Sequence, residues 1–503
     1  MSLLIPLALA LPIEDPVRAR VHPALLHGDH VRTVVYEADD PFDVLEGLQA
    51  LGVPGLRGGA LVQAELEPAA ILELAALPGV RRVRPPHRAA PKTEVSEGVD
   101  AILVDDWRVE GQTGEGVRVA IVDVGFDGWE ALVPSELPDN VVDHTDGATL
   151  GSRHGAAVAE IIHELAPDAE LAFHAFSTDV EFLAVLDELA EDPPDIVNAS
   201  IGFDNVYPID GSSPFAEAVD VLADERVLYI GAAGNEAERY AQGALTDEDG
   251  DGWAELGGLE TIQIWATGTA EARLRWSEPF GEAGVDLDLY LFDDEDQQLG
   301  ASTAAQNGSG DPYEALEVDV GTAVSAFARI KIESADVQGL EAWLYSPSGM
   351  HSEAVNPAMS LTLPADAEGC LAVGAWLYDE QVLASYSSHG PTQDGRQKPE
   401  LVAPSQVTTV TFGTANFSGS SAAAPHVSGV AALLVDRKSR ARPKKLRTLL
   451  YERALDVGDP GVDDATGHGL VQVVDLPCGC ASAGAASFGW LWATLLVWRR
   501  RCS

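Results

Sequence analysis

The sequence predicts an α/β fold: a parallel sheet with helices on both faces, interrupted by an inserted β-sandwich and preceded by a small α+β module. The main sheet is indicated by unbroken apolar runs such as Gly116 to Asp123, which are typical of strands covered on both faces. The insertion is indicated by residues 247–357, where short runs alternate polar and apolar side chains. The first module is indicated by residues 30–86, where strand-like and helix-like patterns alternate.

The composition excludes some classes of partner. Lys and Arg number 31 against 80 Asp and Glu, which gives a net charge of −49. Such a charge argues against nucleic acid or an anionic membrane as the main partner and suggests an exported, cation-rich setting. Four cysteines occur, and only Cys370 lies outside the tail, so no disulfide framework can hold the main domains.

The N-terminal part divides into a signal and a module. Residues 1–12 are a predicted signal peptide, because the apolar run Leu3 to Leu11 contains the small-x-small site Ala8-Leu9-Ala10. Residues 13–95 hold the α+β module and a linker. The linker, His87 to Val95, contains prolines and charges without periodicity, which favours proteolysis there.

Two candidate catalytic side chains follow apolar segments. Asp123 ends an apolar strand, and active residues of parallel sheets lie at the carboxyl ends of strands; the alternative is a carboxylate that caps the turn. His154 begins an apolar helix, where the helix dipole favours a neutral imidazole suited to a general base. A solvent-facing histidine is the alternative.

Two further candidates lie in turns of small residues. Asn235 ends the run Val227 to Asn235 and brings a neutral N–H donor. Ser421 lies in Gly419 to Val427, a turn that leads into an apolar helix, whose free N–H groups would stabilise an oxyanion. Ordinary helix entry is the alternative for this stretch.

The order Asp123, His154, Asn235, Ser421 makes the chain resemble a subtilisin-like serine peptidase of the subtilase family. The motifs are Val-Asp-x-Gly, His-Gly, Ala-Ala-Gly-Asn and Gly-Ser-Ser-Ala-Ala-Ala-Pro-His. The resemblance implies that Ser421 attacks the peptide carbonyl, that His154 transfers the proton and that Asp123 orients the imidazole. It also implies an oxyanion hole made by Asn235 and the Ser421 N–H, with no cofactor required for catalysis.

The resemblance further implies a pocket for the first substrate side chain. Its two edges are expected at Ser200, Ile201 and Gly202 and at Ala232, Ala233 and Gly234. A large apolar side chain is expected to fit between them.

The insertion opens with closely spaced carboxylates. Asp247, Asp249 and Asp251 alternate with glycines and other acidic residues, as oxygen-ligated calcium sites require. A structural calcium ion and a solvated acidic turn are both open interpretations. The insertion itself resembles the β-sandwich modules that accompany secreted bacterial peptidases.

The predicted boundaries give the catalytic domain two parts, residues 96–246 and 358–475, on either side of the insertion 247–357. Residues 476–503 form a tail with Cys478-Gly-Cys480, an apolar run and Arg499 to Arg501. The apolar run is shorter than the roughly 20 residues that span a bilayer comfortably. The tail resembles the sorting tails of myxobacterial-type surface proteins, so membrane contact is expected through the tail alone.

These features predict a secreted or cell-surface serine endopeptidase, a monomer that acts on proteins or peptides and is made as a zymogen. Its location is expected to be extracellular or at the outer-membrane surface. The N-terminal module resembles a pro-domain that inhibits its own chain until cleavage within Pro91 to Gly98. The alternative is an adhesive or polymer-binding surface protein on a weakly active scaffold. This alternative rests on the insertion and on three departures from the family pattern, at Val124, Ala156 and Ser420.

Overall fold

The computed structural model describes residues 31–38, 40–58, 61–84, 97–103, 111–145, 151–266, 268–308, 310–334, 337–437 and 441–473, with Val17, Val21 and Leu25. The predicted signal peptide, the linker before Glu97 and the tail lie outside these residues. Among the described residues, no helix combines the length and the apolar character needed to cross a bilayer.

The N-terminal module contains a four-stranded antiparallel sheet in the order β2-β3-β1-β4. Its elements are β1 Arg32–Ala38, α1 Pro41–Ala50, β2 Gly55–Gly58, β3 Leu61–Leu66, α2 Pro68–Ala75 and β4 Val80–Arg84. Helix α1 begins where the sequence indicates, because Asp40 accepts a hydrogen bond from the N–H of Phe42 and Pro41 occupies the first turn. The hydroxyl of Tyr36 in β1 donates to the carbonyl of Ile71 in α2, which ties the helix to the sheet.

The second unit begins with alternating strands and helices. Its first part contains α3 Glu97–Ala101, β5 Arg118–Asp123, β6 Val142–Asp143, α4 His154–Leu165, β7 Glu170–Ala175, α5 Asp179–Glu191, β8 Ile196–Ala199, α6 Pro214–Asp224 and β9 Leu228–Ala232.

The insertion follows β9. It contains β10 Tyr240–Thr246, β11 Trp253–Leu256, β12 Ile262–Trp265, β13 Thr269–Trp276, β14 Leu287–Phe292, β15 Gln298–Ser302, β16 Tyr313–Asp319, β17 Ser325–Ile332 and β18 Glu341–Tyr345. These described strands form one antiparallel nine-stranded arrangement, in which β14 and β17 share an apolar core with β13 and β18.

Strand β10 extends the insertion beyond its predicted start at residue 247. The predicted boundaries place Tyr240–Thr246 in the catalytic part, but β10 pairs with β18 from Tyr240↔Tyr345 to Ala244↔Glu341. The apolar residues of β10 resemble those of the parallel strands, which is why the sequence pattern did not separate them.

The chain then returns to the second unit and completes its sheet. The last elements are β19 Cys370–Leu377, β20 Val382–Leu383, β21 Leu401–Ser405, β22 Val407–Thr409, β23 Gly413–Phe417, α7 Ser420–Arg437 and α8 Pro443–Tyr451. The sheet has the order β20-β19-β9-β8-β5-β7-β6, with β21 also paired to β19. All of its pairs are parallel except β19 with β20.

Strand β5 shows why the sheet is covered on both faces. Val119 and Ile121 pack with α4 and α7, whereas Ala120 and Val122 pack with α5 and α6. Alternate side chains of a strand point to opposite faces, so both faces of β5 require apolar residues. The predicted parallel sheet with helices on both faces is therefore confirmed.

Candidate active site

The candidate catalytic residues lie at one edge of the parallel sheet. Asp123 ends β5, Ser200 directly follows β8, and Asn235 follows β9 in the loop that leads to the insertion. His154 begins α4, and Ser421 lies in the first turn of α7. Three strand ends and two helix starts thus bring together residues that are far apart in the sequence.

Asp123 and His154 form a buried pair. Both carboxylate oxygens of Asp123 lie 2.9 Å from Nδ1 of His154. The aspartate is fully buried, whereas the histidine side chain is 25% exposed. A carboxylate at Nδ1 holds the proton there, so Nε2 of the neutral ring is left as the base.

The pKa of His154 departs from what helix position alone suggests. Burial lowers this pKa, but the charge of Asp123 and its hydrogen bond outweigh burial and raise the pKa above 6.5. The sequence analysis expected the helix dipole to favour neutrality. The carboxylate in direct contact is the stronger influence.

Ser421 is held beside the end of β8. Its hydroxyl donates to the carbonyl of Ser200 at 3.0 Å. Within the described residues, no hydrogen bond joins this hydroxyl to His154. The hydroxyl must therefore turn away from Ser200 before it can give its proton to the imidazole.

A proline in α7 explains a second link between Ser421 and Ser200. Pro425 has no N–H, so the carbonyl of Ser421 lacks its usual donor four residues ahead. The hydroxyl of Ser200 donates to that carbonyl instead, at 2.9 Å. Behind it, Asn198 donates to the Ser200 hydroxyl and accepts from Ser428 of the same helix. This buried chain of hydrogen bonds fixes the start of α7 against the end of β8.

The amide of Asn235 has a defined orientation. Its Oδ1 accepts from the backbone N–H of Ser420 at 2.8 Å and from the Ser420 hydroxyl at 3.2 Å. An N–H donor needs an oxygen acceptor, so Nδ2 must be the free end of the amide. Ser420, one of the departures from the family pattern, therefore orients Asn235, and its hydroxyl also accepts from the N–H of Gly234.

The two predicted pocket edges lie beside Ser421, but the space between them is not open. Thr362, which the sequence analysis did not single out, lies against both edges and is 4% exposed. A Cβ on Gly202 would lie 2.6 Å from the Cβ of Thr362, and a Cβ on Gly234 would lie 3.1 Å from its N atom. The expectation that a large apolar side chain fits there is not supported by this geometry.

Aromatic residues cover one side of His154. The ring of Phe417 meets the imidazole edge to face, with centroids 5.2 Å apart, and Phe412 stacks on Phe417. The loop that carries Phe412 is fastened by Glu160 of α4, which accepts from the N–H groups of Val410 and Thr411. These contacts link the packing around the imidazole to the helix that His154 begins.

The insertion contacts the loops that follow both pocket edges. Asp204 accepts from the hydroxyl of Tyr345 in β18 at 3.2 Å, and Asn205 donates to the carbonyls of Arg273 and Trp343. Glu236, next to Asn235, forms an ion pair with Arg239 at 2.9 Å. We call the set Asp204, Asn205, Glu236, Arg239, Arg273 and Tyr345 the insertion joint.

Burial changes the pKa values of the two carboxyl groups in the insertion joint. It raises the pKa of Asp204, and burial together with the charge of Asp204 raises that of Glu236. No sequence pattern marked Asp204 or Asn205, because their partners lie in the distant strands β13 and β18.

The predicted metal ligands lie apart from these contacts in the turn between β10 and β11. One carboxylate oxygen from each of Asp247, Asp249 and Asp251 lies within 4.8 Å of the others. Asp249 and Asp251 are exposed, and the three side chains accept hydrogen bonds from N–H groups of their own turn. This local geometry fits both open interpretations, a cation site and a capped acidic turn.

The fold is similar to that of a protease of known structure. The chain aligns with the CspB protease of Clostridium perfringens over 75% of its own length and 97% of that chain, with a TM-score of 0.55 and 18% identity. At this identity the likeness concerns the fold.

Sequence comparison adds the family of one segment. Residues 348–469 match the model of the subtilase family, Peptidase_S8. Over 57 residues the chain is 44% identical to Fervidolysin of Fervidobacterium pennivorans, a stretch that covers 11% of this chain and 8% of that protein. The matched segment is therefore similar to subtilisin-like serine peptidases, which are hydrolases, and the fold is similar to that of a protease. The matched segment contains Ser421 but not Asp123, His154 or Asn235, and the roles of all four residues are predictions.

Proposed function

We propose that the chain is a secreted or cell-surface serine endopeptidase that hydrolyses peptide bonds with Ser421, His154 and Asp123. The observation that carries this proposal is the Asp123–His154 pair at 2.9 Å, with Ser421 at a helix start on the same sheet edge. A nucleophile, a base and a group that orients the base are the three parts that acyl transfer requires.

The first step starts when a substrate carbonyl approaches Ser421. The Ser421 hydroxyl leaves the carbonyl of Ser200, its Oγ attacks the substrate carbon, and its proton passes to Nε2 of His154. Asp123 stabilises the imidazolium through Nδ1. His154 then gives the proton to the leaving amine, and water releases the acyl group by the same sequence of transfers.

The negative oxygen of the tetrahedral intermediate needs hydrogen-bond donors. Nδ2 of Asn235 is one candidate, because the Asn235 oxygen is already bound to Ser420. The backbone N–H of Ser421 is the other, because the first N–H groups of a helix have no partner within it. Fixed donors stabilise this charge without reorganising during the reaction.

We also propose that the N-terminal module is an inhibitory pro-domain that the enzyme removes itself. The chain from Glu97 onward is integrated into the second unit, which narrows the cleavage zone. Glu97 accepts from the N–H of Thr408, and Val99 and Ile102 lie in the core beside α7. Because cleavage beyond Glu97 would remove part of this core, the self-cleavage bond is expected before Glu97.

The test of the proposed function compares purified wild-type protein with Ser421→Ala by intact mass and N-terminal sequencing. We expect the wild type to lose the residues that precede the core at Glu97 and the variant to keep them. Mixing trace wild type with Ser421→Ala distinguishes cleavage between molecules from cleavage within one. If both proteins stay full length, and the wild type cleaves no peptide, the proposal is wrong and a binding role on a peptidase scaffold becomes the better hypothesis.

Export and surface retention through the tail belong to the same proposal and rest on the sequence patterns alone. So does a structural calcium ion at Asp247, Asp249 and Asp251. A calcium titration that raises the Tm of the wild type, but not that of Asp249→Asn, would support the ion. An equal Tm with calcium and with chelator would leave the acidic turn as the better interpretation.

A further inference from the structure

We propose that Thr362 restricts the substrate residue on the carbonyl side of the cleaved bond to a small side chain, glycine or alanine. This inference rests on the proposed peptidase function and adds the substrate class to it. It follows from what surrounds Ser421, and it reverses the sequence-based expectation of a large apolar residue.

The position of Ser421 defines where that substrate side chain must lie. The Ser421 hydroxyl touches the carbonyl of Ser200, and the neighbouring Ser420 binds the amide of Asn235. Strands β8 and β9 are adjacent and parallel, so the segments after them flank the nucleophile from two sides. A peptide whose carbonyl reaches Ser421 must direct its adjacent side chain along or between these segments.

A third segment closes the gap between the two edges. The N–H of Thr362 donates to the carbonyl of Ala233 at 3.0 Å, which joins this segment to the second edge. Leu363 exchanges two backbone hydrogen bonds with Phe203, directly after the first edge. Thr362 is therefore fixed by backbone contacts on both sides and cannot swing away without breaking them.

The side chain of Thr362 fills the floor of this gap. It packs on the Cα of Gly202, so closely that a Cβ at Gly202 would overlap it. On the other side, a Cβ at Gly234 would lie 2.5 Å from Oγ of Ser388. Both glycines are therefore needed at these positions, because a Cβ on Gly202 would meet Thr362 and a Cβ on Gly234 would meet Ser388. Gly234 also has φ of +115°, which disfavours other residues.

The gap therefore limits the size of the substrate side chain and does not select for its polarity. A β-branched side chain in a fixed backbone has little freedom to move aside. A leucine or phenylalanine would therefore meet Thr362 and Gly202, whereas the methyl group of alanine would not extend to the floor. Pockets of this kind discriminate by about 10–200-fold for each misfitting methylene.

The experiment measures kcat/KM for a series of peptides that differ only in Gly, Ala, Leu or Phe before the cleaved bond. We expect the wild type to prefer Ala or Gly. Thr362→Gly should raise the Leu-to-Ala ratio of kcat/KM by about tenfold or more. Thr362→Val is the matched control, because it keeps the shape, removes the hydroxyl and should leave the ratio unchanged.

Thr362→Ala provides a milder opening in case the glycine variant does not fold, and should shift the ratio in the same direction. A wild type that prefers Leu or Phe would overturn the inference while leaving the proposed function intact. So would a ratio that stays the same in a folded Thr362→Ala or Thr362→Gly protein that still cleaves the Ala peptide. If no peptide is cleaved and a fluorophosphonate does not label Ser421, the proposed function fails and the inference fails with it.

Discussion

Two regions pair buried carboxylates with other polar side chains: the insertion joint and the sheet edge that holds Asp123, His154, Asn235 and Ser421, which we call the catalytic edge after its proposed role. At the catalytic edge, buried Asp123 contacts a histidine that is partly open to solvent and can change its charge. At the insertion joint, buried Asp204 and Glu236 contact a tyrosine and an arginine, whose protonation does not change near neutral pH. A buried carboxylate therefore points to catalysis only when its partner can exchange a proton and reach a substrate.

The comparison also explains how the insertion is attached to a catalytic unit. Asp204 and Glu236 each follow a segment that flanks Ser421, and strand β18 supplies Tyr345 to this region. The insertion therefore packs behind the substrate edges. We expect it to stabilise those loops rather than take part in the chemistry.

The largest loss of activity is expected when the nucleophile of the catalytic edge is removed. No change at the insertion joint should lower kcat as far. Ser421→Ala should lower kcat by about 10⁶, a value measured on a subtilisin, and Asp123→Asn should lower it by about 10⁴. Both variants should still unfold cooperatively on heating, which checks that they are folded even though they keep the N-terminal module that the wild type is expected to lose. Activity that survives Ser421→Ala at more than a thousandth of the wild-type rate would place the nucleophile elsewhere.

The next effect concerns the two ends of the Asn235 amide. Asn235→Ala should lower kcat by about 10²–10³, a magnitude measured for the corresponding amide of a subtilisin. Asn235→Asp keeps the oxygen that binds Ser420 but replaces the donor with a second oxygen, so kcat should fall at least as far. KM should change little in either variant. A KM effect without a kcat effect would mean that Asn235 binds the ground state only.

The third effect is the dependence on pH. His154 must be neutral to accept a proton, and Asp123 raises its pKa above 6.5. We expect kcat/KM to fall about tenfold per pH unit on the acid side, with a midpoint above pH 6.5. A midpoint at or below 6.5 would contradict the strong pairing with Asp123.

The pairing of His154 with Asp123 also makes the free energy of unfolding depend on pH, but in the opposite direction to the activity. A raised pKa means that the folded state binds the proton more tightly than the unfolded state. Its contribution to the free energy of unfolding is therefore complete below pH 6.5 and is lost as the pH rises through the folded pKa. A urea titration of wild type against His154→Ala across this range should reveal the difference.

The smallest effect on activity is expected at the insertion joint. Tyr345→Phe removes the hydrogen bond to buried Asp204 and should lower the free energy of unfolding by about 1–3 kcal/mol. We expect kcat to change by less than about threefold. Tyr290→Phe is the matched control within the insertion, because the Tyr290 hydroxyl lies 3.4 Å from Asp288 and its loss should matter less. A large kcat loss in Tyr345→Phe at unchanged stability would assign the joint a direct part in the chemistry.

The catalytic edge was predictable from the sequence because the ends of apolar strands and the starts of apolar helices can be located from the residue pattern. Apolar runs that stop at Asp123 and Asn235, and apolar helices that begin near His154 and Ser421, indicate one edge of a parallel sheet. The structure brings these four residues to that edge. The prediction does not depend on how many residues separate the four in the sequence.

Other features depend on contacts that no local pattern carries. Thr362 lies in an ordinary apolar stretch. Its position between the two edges comes from its own backbone hydrogen bond to Ala233 and from the pairing of the next residue, Leu363, with Phe203. The hydrogen bond from the Ser200 hydroxyl to the Ser421 carbonyl could not be predicted either, because it joins residues that are distant in the sequence. Pro425 indicates only that α7 lacks one N–H donor. A proline within the first turns after a nucleophile could prompt a search for such a donor.

The proposed function requires Asp123, His154 and Ser421 to form a working catalytic centre. The most direct test is the rate and site of labelling by a fluorophosphonate, followed by peptide mass mapping. We predict one label per molecule, located on Ser421, with a rate that falls by about 10⁴ in Asp123→Asn and with no labelling in Ser421→Ala. Folded wild-type protein that takes up no label, or takes it up at another serine, would contradict the account.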